Sequence, residues 1–175
     1  MLDTTETLVI PVIMDGIQIQ RDDRTGWSLT AHQQVSLARD EIFPFFADAS
    51  NLARITPPEL GFEILTPTPV AMAAGALIDY RIKVWGIPLR WRTEITAWHP
   101  PIEFVDTQLR GPYAAWVHRH RFVALARRRT LVEDVVRFRL PLGPLGTLAG
   151  PIVRRQLRRI FVHRRDVIAQ LEAAG

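Results

Sequence analysis

The sequence predicts a single α+β domain in which a curved antiparallel sheet wraps a long C-terminal helix. Six segments between residues 62 and 140 read as strands, and the connections between them are mostly short and mostly contain Gly or Pro. Such connections require antiparallel neighbours, because a parallel pair needs a long crossover. A final segment, 152–173, carries one apolar stripe at helical spacing. That stripe needs a partner surface, and the buried face of the sheet is the large surface available.

Composition places the chain among globular proteins of one domain. It has 175 residues, of which 47% are hydrophobic and 23% charged. It contains no cysteine, which excludes disulfides, cysteine zinc sites and a cysteine nucleophile. The apolar run Leu8–Met14 is broken by Pro11, follows acidic residues and is too short to span a bilayer. We therefore expect no transmembrane segment and a cytoplasmic location.

Residues 1–26 are interpreted as an N-terminal appendage to a domain at 27–175. The segments Leu8–Met14 and Ile17–Gln20 flank Asp15-Gly16, a hairpin signal. The polar segment Arg21–Gly26 is interpreted as a linker. We expect a chain that begins at Gly26 to fold without the appendage, which a solubility and unfolding assay would check.

The domain begins with a strand and two short helices. Trp27–Leu37 suits the first strand, and a helix follows at Asp40–Ala47 with an acidic first turn. Pro44 indicates that this helix is short or starts late. Asn51 is a candidate cap for a second helix, which Pro57 ends at about residue 55.

The strands of the meander alternate between an apolar and a polar face. Alternation is clearest at Ala76–Trp85 and Leu89–Trp98, where Tyr80 and Trp91 lie on the apolar faces. The remaining strands are predicted at Phe62–Leu65, Ile102–Leu109, Tyr113–Leu125 and Thr130–Leu140.

The predicted C-terminal helix, Ile152–Ala173, has one apolar and one basic face. Its apolar face carries Val153, Leu157, Ile160, Phe161, Ile168 and Leu171. The arginines 154, 155, 158, 159, 164 and 165 are assigned to the other face. A solvated surface is the favoured interpretation, because aromatic residues do not alternate with these arginines. We expect no nucleic-acid partner; an interaction module with salt-sensitive binding is the alternative. The oligomeric state is not predictable.

A polar cluster is predicted on the inner face of the sheet. In Tyr113–Leu125 one face carries Trp116, His118, His120 and Phe122, and its aromatic residues indicate that it points inward. On the same argument the flanking strands contribute Asp106, Gln108 and Asp134.

Three interpretations of this cluster are open. The favoured one is a set of buried polar groups that satisfy one another. A second is general acid–base chemistry by an imidazole beside a carboxylate. A third is a metal site of two histidines and one carboxylate. Neighbouring imidazoles are more often hydrogen-bonded than ligating, so the sequence favours no metal and no cofactor.

Several stretches give the chain a family resemblance over residues 27–174. They are Asn51–Pro58, Phe104–Asp106, Gly111–Tyr113, Trp116–His120 and Leu140–Gly143. With the order of elements, they resemble the SRPBCC (START-like, Bet v 1-like) superfamily, in a bacterial ligand-binding branch related to polyketide cyclase/dehydrase-like proteins. The resemblance implies a helix-grip fold. Members bind lipids, hormones or polyketides, and a few are cyclases or hydrolases.

The leading function hypothesis is binding of a small hydrophobic or amphipathic molecule between sheet and helix. The expected apolar wall consists of Tyr80, Trp91, Trp116 and Phe122. The expected polar anchors are Asp106, Gln108, His118, His120 and Asp134. The alternative is a cyclase, dehydratase or hydrolase for a polyketide-like or aromatic substrate, with either histidine as base and either aspartate as its orienting partner.

Overall fold

The computed structural model describes residues 16–22, 26–84 and 86–174, which form one sheet covered by helices. The elements in chain order are β1 (Gly16–Asp22), β2 (Gly26–Val35), α1 (Arg39–Ala47), β3 (Glu63–Ile64), β4 (Leu77–Val84), β5 (Ile87–His99), β6 (Glu103–Arg110), β7 (Ala115–Ala126), β8 (Arg129–Arg139), α2 (Gly143–Leu148) and α3 (Gly150–Ala174). Two 3₁₀ turns, Ala49–Ala53 and Pro58–Leu60, separate α1 from β3.

The sheet is antiparallel throughout, with the strand order β1-β2-β8-β7-β6-β5-β4-β3. Strands β3 to β8 pair in sequence, as the short connections predict. The first strand of the domain, β2, returns to pair with the last one, β8, so that Leu29 lies opposite Val136. Both side chains are fully buried. The predicted α+β fold, a curved sheet against a long C-terminal helix, is confirmed.

Strand β1 corrects the interpretation of the segment 21–26 as a linker. Arg21 and Asp22 end β1, and Gly26 begins β2. The two strands pair along the whole of β1, and Ile17 and Ile19 pack on an apolar cluster of the domain. Alternation of Ile17 and Ile19 is a strand signal, but it does not reveal the pairing partner. The predicted strand Leu8–Met14 lies outside the described residues.

The segment after β2 differs from the sequence prediction in the residue that caps its second helical turn. Helix α1 begins at Arg39 and contains Pro44. The following 3₁₀ turn is capped by Asp48, whose Oδ1 accepts a hydrogen bond from the Ser50 backbone at 2.9 Å. The prediction of Asn51 as the cap is wrong, because Asn51 lies inside the turn and donates from Nδ2 to the Phe45 carbonyl.

Helix α3 packs its apolar stripe on the sheet, as predicted. Leu157 and Phe161 lie in one apolar cluster with Trp116 and Phe138. One helical turn beyond Arg164, Ile168 joins a second cluster built around α1. No described helix combines sufficient length with an apolar run that would cross a membrane. The short helix α2 was not predicted, since its Gly and Pro content is typical of a turn.

Candidate functional site

A cavity of about 460 Å³ lies between the sheet and α3. Most of its wall is apolar. Strand β4 contributes alternate side chains, including Ile78, Tyr80 and Ile82, because successive residues of a strand point to opposite faces. Helix α3 contributes Val153 and Leu157 from the opposite side. The apolar stripe of the helix thus serves partly as packing surface and partly as cavity wall.

Four aromatic side chains form one corner of this wall. The rings of Tyr80 and Trp91 are stacked at 5.6 Å, with an interplanar angle of 18°. Trp116 meets Trp91 edge-on at 5.4 Å, and Tyr113 lies 4.8 Å from Trp116. Offset and edge-on contacts of this kind are the favourable aromatic geometries. The rings thus form one continuous aromatic surface at this corner of the cavity.

A polar cluster adjoins the apolar wall. We use this name for Asp106, His118, His120, Asp134 and Arg164. Strand register brings the first four together, since Asp106 lies opposite His118 and His120 lies opposite Asp134. Side chains opposite one another in an antiparallel pair are close enough to interact. All except Asp134 belong to the cavity wall.

Each histidine is hydrogen-bonded to a carboxylate. The Nε2 atom of His118 lies 2.9 Å from Oδ1 of Asp134. The Nε2 atom of His120 lies 2.9 Å from Oδ2 of Asp106. The prediction that at least one histidine contacts one of these aspartates is therefore confirmed. The two imidazole rings are tilted against each other, with their centroids 3.7 Å apart.

The guanidinium of Arg164 completes the cluster from α3. Its Nη2 atom lies 3.0 Å from Oδ1 of Asp134 and 2.9 Å from Nδ1 of His120. The rings of Phe46 and Phe161 flank it at 4.9 and 5.8 Å. The assignment of Arg164 to the solvated face is wrong, because only 7% of the residue is exposed.

The helical spacing contains a signal that locates Arg164. Leu157, Phe161 and Ile168 are buried, and Arg164 falls at the same 3–4 spacing, within their stripe. Assigning all six arginines of the helix to one face because of their residue type overlooks that Arg164 lies in the buried stripe. Arg155, Arg158, Arg159 and Arg165 are exposed, as predicted of an outer face. Arg154 departs from the prediction, because it is half-buried and its guanidinium lies 4.9 Å from the Trp27 ring centroid. Arg159 pairs with Glu59 at 2.6 Å.

The charges of the cluster follow from burial and from these contacts. Burial works to raise the pKa of Asp134, but the Arg164 charge and the histidine hydrogen bonds hold it well below its usual range. The pKa of Asp106 is likewise lowered against the effect of burial, chiefly by the hydrogen bond from His120. Burial, aided by repulsion from His120, lowers the pKa of His118 to about 4. At neutral pH both aspartates are ionised and His118 is neutral.

These charges determine which ring nitrogens carry protons. An ionised carboxylate only accepts hydrogen bonds, so His118 donates from Nε2 to Asp134. Its Nδ1 atom is then unprotonated and lies 3.6 Å from Oδ2 of Asp106. Both ring nitrogens of His120 have close partners: Asp106 at Nε2, and Arg164 and Asp134 at Nδ1. His118 is therefore the histidine with a nitrogen available to a bound molecule.

Six of the nine predicted site residues line the cavity. They are Tyr80, Trp91, Asp106, Trp116, His118 and His120. Phe122 does not, because α1 covers that end of β7 and encloses Phe122 between Phe43 and Phe46. Asp134 contacts the histidines on the side away from Asp106.

Gln108 is the third residue that does not line the cavity. Its Nε2 atom donates to the Tyr113 carbonyl at 2.8 Å, and its Oε1 atom faces the Tyr113 backbone N–H at 3.4 Å. The side chain therefore bridges the turn between β6 and β7. Alternation predicts which face of β6 carries Gln108. It does not predict that the backbone at Tyr113 lies close enough to take up the hydrogen bonds of this side chain.

Comparison with known proteins agrees with the geometry. A family model described as polyketide cyclase/dehydrase and lipid transport matches residues 35–161, more than half of the chain. No curated protein matches the sequence significantly.

Solved structures share the fold at low sequence identity. A START-superfamily protein from Mycobacterium smegmatis has a TM-score of 0.63 and 14% identity, covering 82% of this chain and 98% of its own. A second protein from that organism, Ms6760, has a TM-score of 0.66 and 16% identity, over 91% and 100% of the two chains. The ZhuI aromatase/cyclase from Streptomyces sp. R1128 has a TM-score of 0.65 and 17% identity, over 83% and 93%. At these identities the likeness shows the fold alone.

Proposed function

The chain belongs to the polyketide cyclase/dehydrase and lipid transport family, and we propose that it binds one small hydrophobic or amphipathic molecule between the sheet and α3. The cavity carries this proposal. Its volume of about 460 Å³ falls within the 300–1,000 Å³ usual for small-molecule sites. Its wall is mostly apolar, with one polar cluster, and such sites bind by excluding water and orient the molecule with few polar contacts.

The polar cluster suggests the chemistry of one end of the ligand. Both histidine contacts to Asp106 fall on the same oxygen, Oδ2. Of the two, the contact from His120 is the hydrogen bond, because Nδ1 of His118 carries no proton. A carboxylate can accept more than one hydrogen bond, so Asp106 retains capacity for a donor in the cavity. A hydroxyl or amino group at the polar end of the ligand would complete that contact, while the aromatic corner of Trp91 and Trp116 would pack on its apolar body.

Filling the cavity tests this proposal. The probe is 1-aminoanthracene, a neutral, fluorescent aromatic amine, titrated against the protein. Ile82→Trp places a larger side chain inside the cavity, and we expect it to weaken binding at least about tenfold, or about 1.4 kcal/mol. Lys83→Trp is the matched control, because Lys83 is the next residue of β4 and points outward. It should bind the probe like the unmodified protein.

Equal probe affinity in the two tryptophan variants would contradict the proposal. It would mean that the probe binds elsewhere on the surface. Thermal unfolding of both variants shows whether Ile82→Trp is folded, and a second cavity variant, Val153→Phe, covers the case in which it is not.

A second candidate function is acid–base catalysis, and the state of His118 favours it. Asp134 fixes the ring so that the unprotonated Nδ1 atom faces the cavity side of the cluster. This arrangement, an imidazole oriented by a buried carboxylate, is the one that general bases require. Under this hypothesis His118 is the base and Asp134 its positioning residue. It requires a substrate that the unmodified protein converts and that a His118→Gln variant binds without converting.

A further inference from the structure

Within the polar cluster, Asp134 contacts both histidines and Arg164 through a single oxygen atom, a detail that the sequence does not reveal. Oδ1 of Asp134 lies 2.9 Å from Nε2 of His118, 2.9 Å from Nδ1 of His120 and 3.0 Å from Nη2 of Arg164. One carboxylate oxygen thus reaches both imidazoles. The two ring nitrogens that it leaves, Nδ1 of His118 and Nε2 of His120, face the same atom, Oδ2 of Asp106.

From this arrangement we propose that Asp106, His118 and His120 form a binding site for a divalent transition-metal ion at the wall of the cavity. Two imidazole nitrogens and one carboxylate oxygen are a usual ligand set for zinc and for non-haem iron. Asp134 takes the outer position. In metal sites a ligating histidine donates its other ring N–H to a carboxylate, which fixes the ring and makes the ligating nitrogen more basic.

The spacing of the three ligand atoms fits such an ion without rearrangement of the backbone. Metal–ligand bonds to nitrogen and oxygen of about 2.1 Å place neighbouring ligand atoms roughly 3 to 3.5 Å apart. Oδ2 of Asp106 lies 2.9 Å from Nε2 of His120 and 3.6 Å from Nδ1 of His118. One ligand atom from each of the three residues lies within 4.8 Å of the others.

Binding requires only a local exchange of protons. The hydrogen bond from Nε2 of His120 to Asp106 gives way to two metal bonds, and the ring carries its proton on Nδ1 instead. That proton has a partner ready, because Oδ1 of Asp134 lies 2.9 Å away. Arg164 then bonds to Asp134 alone. Since Asp106, His118 and His120 all line the cavity, the remaining coordination positions open toward a bound molecule.

The sequence alone favours hydrogen-bonded imidazoles over ligands, because two histidines two residues apart are a weak signal. The position of Asp134 reverses that preference. Two buried imidazoles that need only hydrogen-bond partners do not require one carboxylate oxygen to contact both rings from the same side. The site is too rich in nitrogen for Mg²⁺ or Ca²⁺, which prefer oxygen ligands.

Titration with the metal alone tests the proposal. The protein is first dialysed against a chelator and then titrated with Zn²⁺ by calorimetry and with Co²⁺ by visible absorption, which reports coordination geometry. We expect one ion per chain and no comparable heat with Mg²⁺. No small-molecule ligand enters the experiment, so its result is independent of the proposed binding of a hydrophobic molecule.

Three variants separate this site from adventitious binding by histidines. Asp106→Asn keeps the shape of the side chain and should lower Zn²⁺ affinity more than 100-fold. Asp134→Asn should lower it about 10- to 100-fold through the outer contact. His99→Ala is the control, since the side chain of His99 also lies beside a carboxylate, that of Glu103, but is 65% exposed; it should leave the affinity unchanged.

Two outcomes would overturn the proposal. One is an unmodified protein that binds Zn²⁺ no more tightly than Asp106→Asn does, including no binding by either. The other is a Zn²⁺ affinity that falls in His99→Ala but not in Asp106→Asn. Circular dichroism of Asp106→Asn shows that the variant is folded, and His118→Gln replaces it if it is not.

Discussion

Arg164 is a single residue that joins helix α3 to the sheet. Its charge is buried among Phe46 and Phe161, which is costly unless a partner of opposite charge is present. Asp134 supplies that partner from β8. Arg164 lies on α3, between the apolar positions Phe161 and Ile168. The ion pair is therefore a buried link between helix and sheet, in addition to the exposed hydrogen bonds from Gln33 to the Arg165 carbonyl and from Arg158 to the Ile17 carbonyl.

Removing one partner of this pair should destabilise the protein strongly. We expect Arg164→Leu to lower the free energy of unfolding by about 3–5 kcal/mol, because it leaves the Asp134 carboxylate buried without its cation. Arg155→Leu is the matched control on the exposed face of α3 and should change stability by less than about 0.5 kcal/mol. Urea unfolding of the two variants measures the difference. Equal midpoints would show that Arg164 does not stabilise the buried carboxylate.

At this scale the sequence identifies the polar cluster but not its full membership. Alternation along β7 and its neighbours brings Asp106, His118, His120 and Asp134 together. Arg164 comes from a distant helix, and strand alternation says nothing about which helical residue faces the cluster. Nor does it predict which nitrogen of each ring meets which oxygen, since that depends on side-chain torsions and on the register between strands.

Helix α3 is the element on which the fold and the cavity both depend. Its side chains at 157 and 161 pack with Trp116 and Phe138, and together with Val153 and Ile160 they also line the cavity. A helix with one apolar stripe gains most of its stability from such packing rather than from its own propensity. Loss of the contact at its centre should therefore affect the whole domain.

A charge at the centre of this contact should prevent folding. Leu157 is 2% exposed, and Leu157→Asp would bury an unpaired carboxylate against aromatic rings. We expect loss of cooperative thermal unfolding. Ile152→Asp is the control on the same helix, where Ile152 is 54% exposed, and it should unfold like the unmodified protein. A soluble Leu157→Asp variant with unchanged thermal stability would refute the packing described for α3.

Whole elements are predicted better than their ends. The five strands from β4 to β8 and helix α3 follow from periodicities that persist over many residues, whereas β3 is only two residues long. The ends depend on single contacts, such as the bond from the Ser50 backbone to Asp48, for which Asn51 is an equally good candidate by residue type. The pairing of β1 with β2 escaped prediction because the residues 21–26 have the composition of a linker.

At the scale of the whole molecule, the main feature is the cavity between the sheet and helix α3. Two apolar clusters lie along α3, one around Trp116 and Phe138 and the other around Phe43 and Phe122. The polar cluster lies between them, and both apolar clusters contribute side chains to the cavity wall. Periodicity predicts which residues face inward, but not how much volume they leave unfilled, because that volume depends on the curvature of the sheet. The resemblance to a ligand-binding superfamily supplied the expectation of a cavity.

The central claim is that this cavity holds a small hydrophobic or amphipathic molecule, and the indole N–H signals of the tryptophans test it most directly. The protein labelled with ¹⁵N is titrated with 1-aminoanthracene, and the signals are assigned with single Trp→Phe variants. Trp91 and Trp116 line the cavity, whereas Trp27 and Trp98 are not among its lining residues. We predict that the signals of Trp91 and Trp116 shift in proportion to bound probe while those of Trp27 and Trp98 stay in place. Shifts confined to Trp27 or Trp98, with Trp91 and Trp116 unchanged, would contradict the claim.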